Sequence, residues 1–192
     1  ADPRAAGMAA VRHKPEDLRL AGVLVKTTMI LLGRPDLPAA SVEELIEVAR
    51  KPGAKEYSYG SVGAGSMYHL VAESFSRQTG VKMLHVPYKG AAPALNDLMG
   101  GQVQLMFNSA LALAPFVKEG RVRLLAQTGP KRSPALPPDL PTVAEAASLP
   151  GFEVSGWFGL LAPASLPADA VARLNAECVR ALALPELRDK LA

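Results

Sequence analysis

Cysteine is almost missing from this chain of 192 residues, with Cys178 standing alone. A single thiol excludes an intrachain disulfide and a cysteine-built metal site, and such scarcity suits an oxidising compartment. No apolar run approaches the roughly 20 residues that a membrane-spanning helix needs, and no secretory leader is recognisable at the start. Net charge is a mild +3, and Lys131-Arg132 and the Arg121/Arg123 pair are scattered basic spots without interleaved aromatics. That argues against nucleic-acid binding. No His/Cys/Asp cluster has metal-ligand spacing, and no G-x-S-x-G elbow is present, so neither metal nor cofactor is expected.

What remains is globular: 49% of residues are hydrophobic and 20% charged. The length allows one large domain or two small ones with a sizeable core. Ala21 to Leu32 is a long, extended-looking run, longer than an average strand, as suits a segment crossing between two bodies. Ser41 and Glu44 form a capping box that opens a helix with Val42, Leu45 and Ile46 inward. A regular alternation follows. Strands end near Gly60, Val86, Phe107 and Gln127, and helices fill Ser66 to Gln78 (Leu70, Val71 and Phe75 inward), Pro93 to Met99 and Leu111 to Glu119. This predicts an α/β fold with a mostly parallel sheet. After a proline-rich linker, Thr142 and Glu145 cap a short helix. Val154 to Ala162 is a second long apolar run, and Asp169 to Leu184 an amphipathic helix on Val171, Leu174, Ala181 and Leu182.

The most informative stretch is Tyr59-Gly60-Ser61-Val62-Gly63-Ala64-Gly65-Ser66, a strand-to-helix loop. In open α/β sheets ligands sit beyond the carboxyl ends of the strands. Glycines let the chain turn tightly, and Ser66 is a natural N-cap that leaves amides and a positive dipole end facing the crevice. A Walker loop needs a lysine after its last glycine, yet Ser66 and Met67 follow Gly65. A Rossmann G-x-G-x-x-G needs glycine where Tyr68 stands, so nucleotide binding is disfavoured. The loop at Tyr88, Lys89 and Gly90 adds a cation and another amide. Asn108 (with Ser109) and Thr28 (with Thr27) add an amide and hydroxyls. The candidate ligand set is therefore Ser61, Gly63, Ala64, Gly65, Ser66, His69, Tyr88, Lys89, Gly90, Asn108 and Thr28, donors for carboxylates or amides with no poised acid or base. His69 reads as a ligand contact or a loop-orienting donor, and His85 as a similar structural donor. An enzyme using His69 as base is the alternative.

Five stretches together resemble the Bug/TctC family, the extracytoplasmic solute receptors of tripartite tricarboxylate transporters. They are Tyr59-Gly60-Ser61 through His69-Leu70, His85-Val86-Pro87-Tyr88-Lys89-Gly90, Leu98-Met99-Gly100-Gly101-Gln102-Val103, Arg132-Ser133-Pro134 with Leu140-Pro141-Thr142-Val143-Ala144-Glu145, and Gly156-Trp157-Phe158-Gly159-Leu160-Leu161-Ala162-Pro163. The resemblance runs from about Lys14 to the C-terminus. It implies a type II periplasmic-binding-protein fold of two lobes, without catalysis. It further implies a small carboxylate ligand (dicarboxylate, tricarboxylate, acidic amino acid or aromatic acid), membrane transporter subunits as partners and a periplasmic location. A sensor subunit reporting ligand occupancy is a further alternative. On this reading residues 1–22 are a remnant of the first lobe, 23–34 and 154–163 are hinge crossings, 35–153 form the complete second lobe, and 164–192 are helical parts of the first lobe. The start at Ala1-Asp2-Pro3-Arg4, the helix-like end and the lack of the family's first-lobe loop lead us to expect a chain truncated at both ends.

Overall fold

The computed structural model describes residues 14–110, 113, 116–117 and 119–191. The helix expected over Leu111 to Glu119 lies largely outside the described residues. Six strands, β1 (Leu18–Gly33), β2 (Tyr57–Ser61), β3 (Met83–Pro87), β4 (Leu105–Ser109), β5 (Arg123–Gln127) and β6 (Ser155–Pro163), form one sheet. Its order is β3-β2-β4-β1-β5, with β6 pairing to β1. β2 runs parallel to both β3 and β4. β1 is antiparallel to β4 and β5, so four strands point one way and β1 runs against them. The sheet is mostly parallel, and the long crossing run is its reversed member.

The chain divides into two compact units, Ala1–Thr27 with Gly156–Ala192, and Thr28–Ser155. In the second unit β1 explains its own composition. Met29 to Leu32 are all buried, with Leu31 in one core and Ile30 and Leu32 in the other. A strand covered on both faces has no reason to alternate polar and apolar residues. The first core packs α1 (Val42–Arg50), α2 (Met67–Thr79) and the short α4 (Val143–Ala146) on Leu31, Tyr59, Leu105, Phe107 and Ala126. Phe75 of α2 meets Phe107 edge-on at 5.8 Å between centroids. The second core gathers Ala94, Leu95 and Leu98 of α3 (Ala91–Met99) with Ile30, Leu32 and Met106.

Local signals set the helix ends. Ser41 Oγ accepts from Glu44 N, while the Glu44 carboxylate reaches back past the cap to Ala40 N at 2.7 Å. Thr142 and Glu145 form the reciprocal box that their spacing predicts. Gly80 ends α2 in the left-handed conformation, where a side chain is disfavoured. One expectation fails on this helix: Leu70 is exposed, and the inward face is Val71, Ala72, Phe75 and Thr79. Leu70 follows His69, whose ring packs toward the sheet, so the buried stripe starts one residue later.

The first unit holds the outer half of β1, most of β6, α5 (Ala168–Leu182) and α6 (Pro185–Leu191). Ala164 N donates to Asp17 O and Asn175 Nδ2 to Ala21 O, each at about the ordinary length (2.8 and 2.7 Å). α5 is amphipathic as expected, yet no residue of it is buried. Leu174 and Val179 remain exposed, as do Trp157 and Phe158 on β6.

Candidate functional site

Parallel β2, β3, β4 and β5 bring their carboxyl ends to one edge of the second unit's sheet. β1 reaches that edge from the opposite direction, because Met29 pairs with Ser109 and Thr28 lies one residue beyond. The ideal Cβ position of Gly129, after β5, lies 3.3 Å from Thr28 Oγ1, so Thr28 sits against the β5 end loop. Ser61, Pro87, Asn108, Thr28 and Gly129 therefore share an edge.

The glycine loop is held from within. Ser61 is fully buried, and its Oγ accepts from Gly63 N at 3.1 Å and lies 2.6 Å from His85 Nε2. Ser66 Oγ donates to Gly63 O (2.7 Å) and caps α2 by accepting from His69 N (3.3 Å). Gly65 N donates to His69 Nδ1 at 3.1 Å. Gly63 and Gly65 have φ of 118° and 75°, where an L side chain is strained. The amides of Gly63 and Gly65 are thus spent on the loop's own shape. Among the described residues the Met67 and Tyr68 amides, in the first turn of α2, also have no partner.

The second loop adjoins the first. Tyr88 N donates to Ser61 O at 2.9 Å, extending the β2–β3 pairing. Gly90 opens α3 without a side-chain cap, and Pro93 has no N–H, so Ala91 and Ala92 carry the first turn's unpaired amides. Tyr88 turns inward: its hydroxyl donates to Asp97 Oδ2 at 2.7 Å, and burial followed by that bond pushes its pKa up to about 12. Lys89 is exposed with no ion-pair partner among the described residues, and Ala64 is an exposed loop tip.

Asn108 differs from the rest. It is buried on the α3 side of β4, and its Oδ1 accepts from Ser109 N at 2.8 Å. Its Nδ2 is the one buried side-chain polar atom without a hydrogen-bond partner among the described residues. Such a group costs about 1–3 kcal/mol unless water or a ligand satisfies it.

Of the candidates, Ser61, Gly63, Gly65, Ser66 and His69 form one bonded loop, and Tyr88 to Gly90 lie beside it. Asn108 and Thr28 reach the same edge by strand register, while Ala64 and Lys89 project outward. Sequence reasoning quoted Tyr59 in the loop stretch but did not count Tyr59, Glu73 or Gly129 among the site residues. Tyr59 OH donates to Glu73 Oε1 at 2.8 Å, and burial first, then that carboxylate, pushes the phenol far above its ordinary range. The i, i+4 spacing of His69 and Glu73 was the legible signal for this support. As a base His69 is poorly placed, since Nδ1 is taken by Gly65 N and Nε2 faces Glu73 Oε1 at 3.8 Å. A cavity of about 640 Å³ opens at the opposite edge, lined by residues including Arg34, Lys51, Lys55 and Tyr57. Arg34 is committed there to Asp36, and none of the candidates lines it. Among the described residues no helix is long and apolar enough to cross a membrane, and no His/Cys/Asp/Glu group could hold a metal.

Comparison with known proteins places the chain in a family. Residues 9–192 match the family described as Tripartite tricarboxylate transporter family receptor. The UPF0065 protein of the tcbD-tcbE intergenic region of Pseudomonas sp. (strain P51) is 39% identical over 162 residues, which are 84% of this chain and 48% of that protein. MatC from Rhodopseudomonas palustris, solved with bound malate, superimposes with a TM-score of 0.89 at 30% identity, over 99% of this chain and 64% of that one. An R. palustris protein solved with adipate gives a TM-score of 0.83 at 39% identity, over 91% of this chain and 57% of that one. The chain spans about half the length of the first curated relative and about three-fifths of these solved chains. It belongs to the tripartite tricarboxylate transporter receptor family.

Proposed function

From that membership we propose that the Thr28–Ser155 unit is the carboxylate-holding half of a periplasmic solute receptor. The observation that carries the reading is the unpaired Asn108 Nδ2 at the strand edge where α2 and α3 also begin. A carboxylate there accepts from the Met67 and Tyr68 amides or from those of Ala91 and Ala92, and from Asn108, with Lys89 supplying long-range attraction. The relatives solved with malate and adipate favour a small dicarboxylate as ligand. The protein has no turnover, and its partners are the membrane subunits of the transporter.

Magnitudes indicate why a second body is needed. Micromolar affinity requires about 8 kcal/mol. A helix terminus contributes about 0.3–2 kcal/mol toward an anion, and each charge-assisted hydrogen bond about 1.5–3 kcal/mol. One open edge, still wet on its far side, falls short of that sum once ordering costs are subtracted. Closure of two lobes over the ligand supplies the remaining contacts and expels water. A thermal-shift panel of mono-, di- and tricarboxylates on the intact receptor tests this. A dicarboxylate is expected to raise the melting temperature by mass action. A panel in which no acid raises it refutes the reading.

A further inference from the structure

Behind the glycine loop, two imidazoles are stacked. The rings of His69 and His85 lie 4.2 Å apart between centroids at 25°, and the Tyr59 ring stacks on His85 at 5.1 Å. Each imidazole fastens one part of the loop. His69 Nδ1 accepts from Gly65 N, and His85 Nε2 meets the Ser61 hydroxyl that takes Gly63 N. For His69 this fixes the protonation state, because a ring nitrogen that accepts must carry a lone pair. Its ring proton therefore sits on Nε2, toward Glu73.

We propose that this stack is an acid-release latch on the ligand loop. With both imidazoles neutral, it holds Gly63 to Ser66 in the ligand-ready shape. Protonation turns His69 Nδ1 from acceptor into donor, aimed at the Gly65 N–H it had accepted. A second proton sets two imidazolium ions face to face. Both changes loosen the loop that presents α2 to the ligand. The titratable groups facing the pair are Tyr59 from β2 and Glu73 from α2, besides the imidazoles themselves on α2 and β3. Glu73 opposes the effect, but its Oε1 already accepts from Tyr59 and its 3.8 Å approach to His69 Nε2 is long for a hydrogen bond. Burial and the neighbouring His69 hold His85 below the ordinary histidine value, consistent with a site built for neutral rings.

The inference rests on the carboxylate reading for what is released, and its test separates the two. The intact receptor is titrated calorimetrically with malate from pH 8 to pH 5, alongside a His69→Asn/His85→Gln variant. Asn keeps an acceptor near the Nδ1 position and Gln a partner near Nε2, and neither titrates. Wild-type affinity is expected to fall by about tenfold per pH unit below the histidine titration, as one obligatory proton release requires. The variant's curve should retain only the ligand's own titration, whatever its affinity at pH 8. Parallel curves overturn the latch. The Gly65 amide resonance, followed by NMR in ligand-free wild type, decides the matter if the variant does not fold. It should shift together with the His69 ring signals, and a resonance unmoved through that titration overturns the latch. No malate binding at any pH, with Gly65 still following His69, supports the latch and counts against malate as ligand.

Discussion

The two units of this chain use apolar side chains in opposite ways. In Thr28–Ser155 most of the large ones are enclosed, with Phe75, Phe107, Leu98 and Met106 at most 1% exposed and Met67, Leu70 and Leu84 as exceptions. In the other unit only Ala21 and Ala162 are buried among the described hydrophobic residues, while Leu174 is 39% and Trp157 51% exposed. Amphipathic pattern alone therefore does not make a core; α5 has the pattern without the burial. The proposed site follows the same division. The loop geometry, the unpaired amide and the helix starts all lie in the unit whose core holds them still.

The largest expected effect breaks that contrast directly. Phe75→Ala should cost about 3–5 kcal/mol in denaturant unfolding, whereas Leu174→Ala, half in solvent already, should stay within about 1 kcal/mol. Comparable losses would erase the distinction between the units. Next comes Asn108→Leu, which removes the Nδ2 donor, unpartnered among the described residues, together with the Oδ1 that accepts from Ser109 N. Dicarboxylate affinity should drop by the worth of a charge-assisted bond, about 1.5–3 kcal/mol, with the melting temperature of the ligand-free protein changed little, because relief of the unpartnered Nδ2 offsets the lost acceptor of Ser109 N. A smaller loss is expected for Gly65→Ala, because φ of 75° costs a side chain about 1–2 kcal/mol. Binding should suffer along with stability, since the loop relaxes away from its bond to His69. Thr142→Ala, losing the cap of α4, should cost about 1 kcal/mol in stability while leaving ligand affinity as it was.

A pH series sharpens the contrast further. His85 has a folded-state pKa below the ordinary value of 6.5, so the unfolded chain binds the proton more readily. Stability from this group is complete above that value and declines as pH falls through it. Thermal unfolding of wild type against His85→Gln between pH 7.5 and 5 should show the difference narrowing in acid.

Much of this was legible in the sequence because the signals were local. The Thr142/Glu145 box, Ser66 as N-cap and the alternation of strand and helix each depend on residues within a turn of one another. Strand direction was less so: nothing in Ala21 to Leu32 says that it runs against its neighbours, since pairing with β4 and β5 is set by residues some 70–100 positions away. The glycine loop was found, but not how its amides are spent. That depends on His85, 24 positions from Ser61, folding back through β3 to meet it. Asn108 was legible as a polar residue after a strand. That its Nδ2 lacks a partner among the described residues is a property of packing alone.

The carboxyl edge of the Thr28–Ser155 sheet is proposed to hold the ligand's carboxylate. Titrating an isotope-labelled intact receptor with a dicarboxylate and following the Met67, Tyr68, Ala91 and Ala92 amides with the Asn108 side-chain amide by NMR tests it most directly. Saturable shifts are expected at Asn108 and at one or both helix starts, with a single dissociation constant. Saturable binding that leaves these signals in place and moves those around Arg34, Lys51 and Tyr57 at the opposite edge would contradict it.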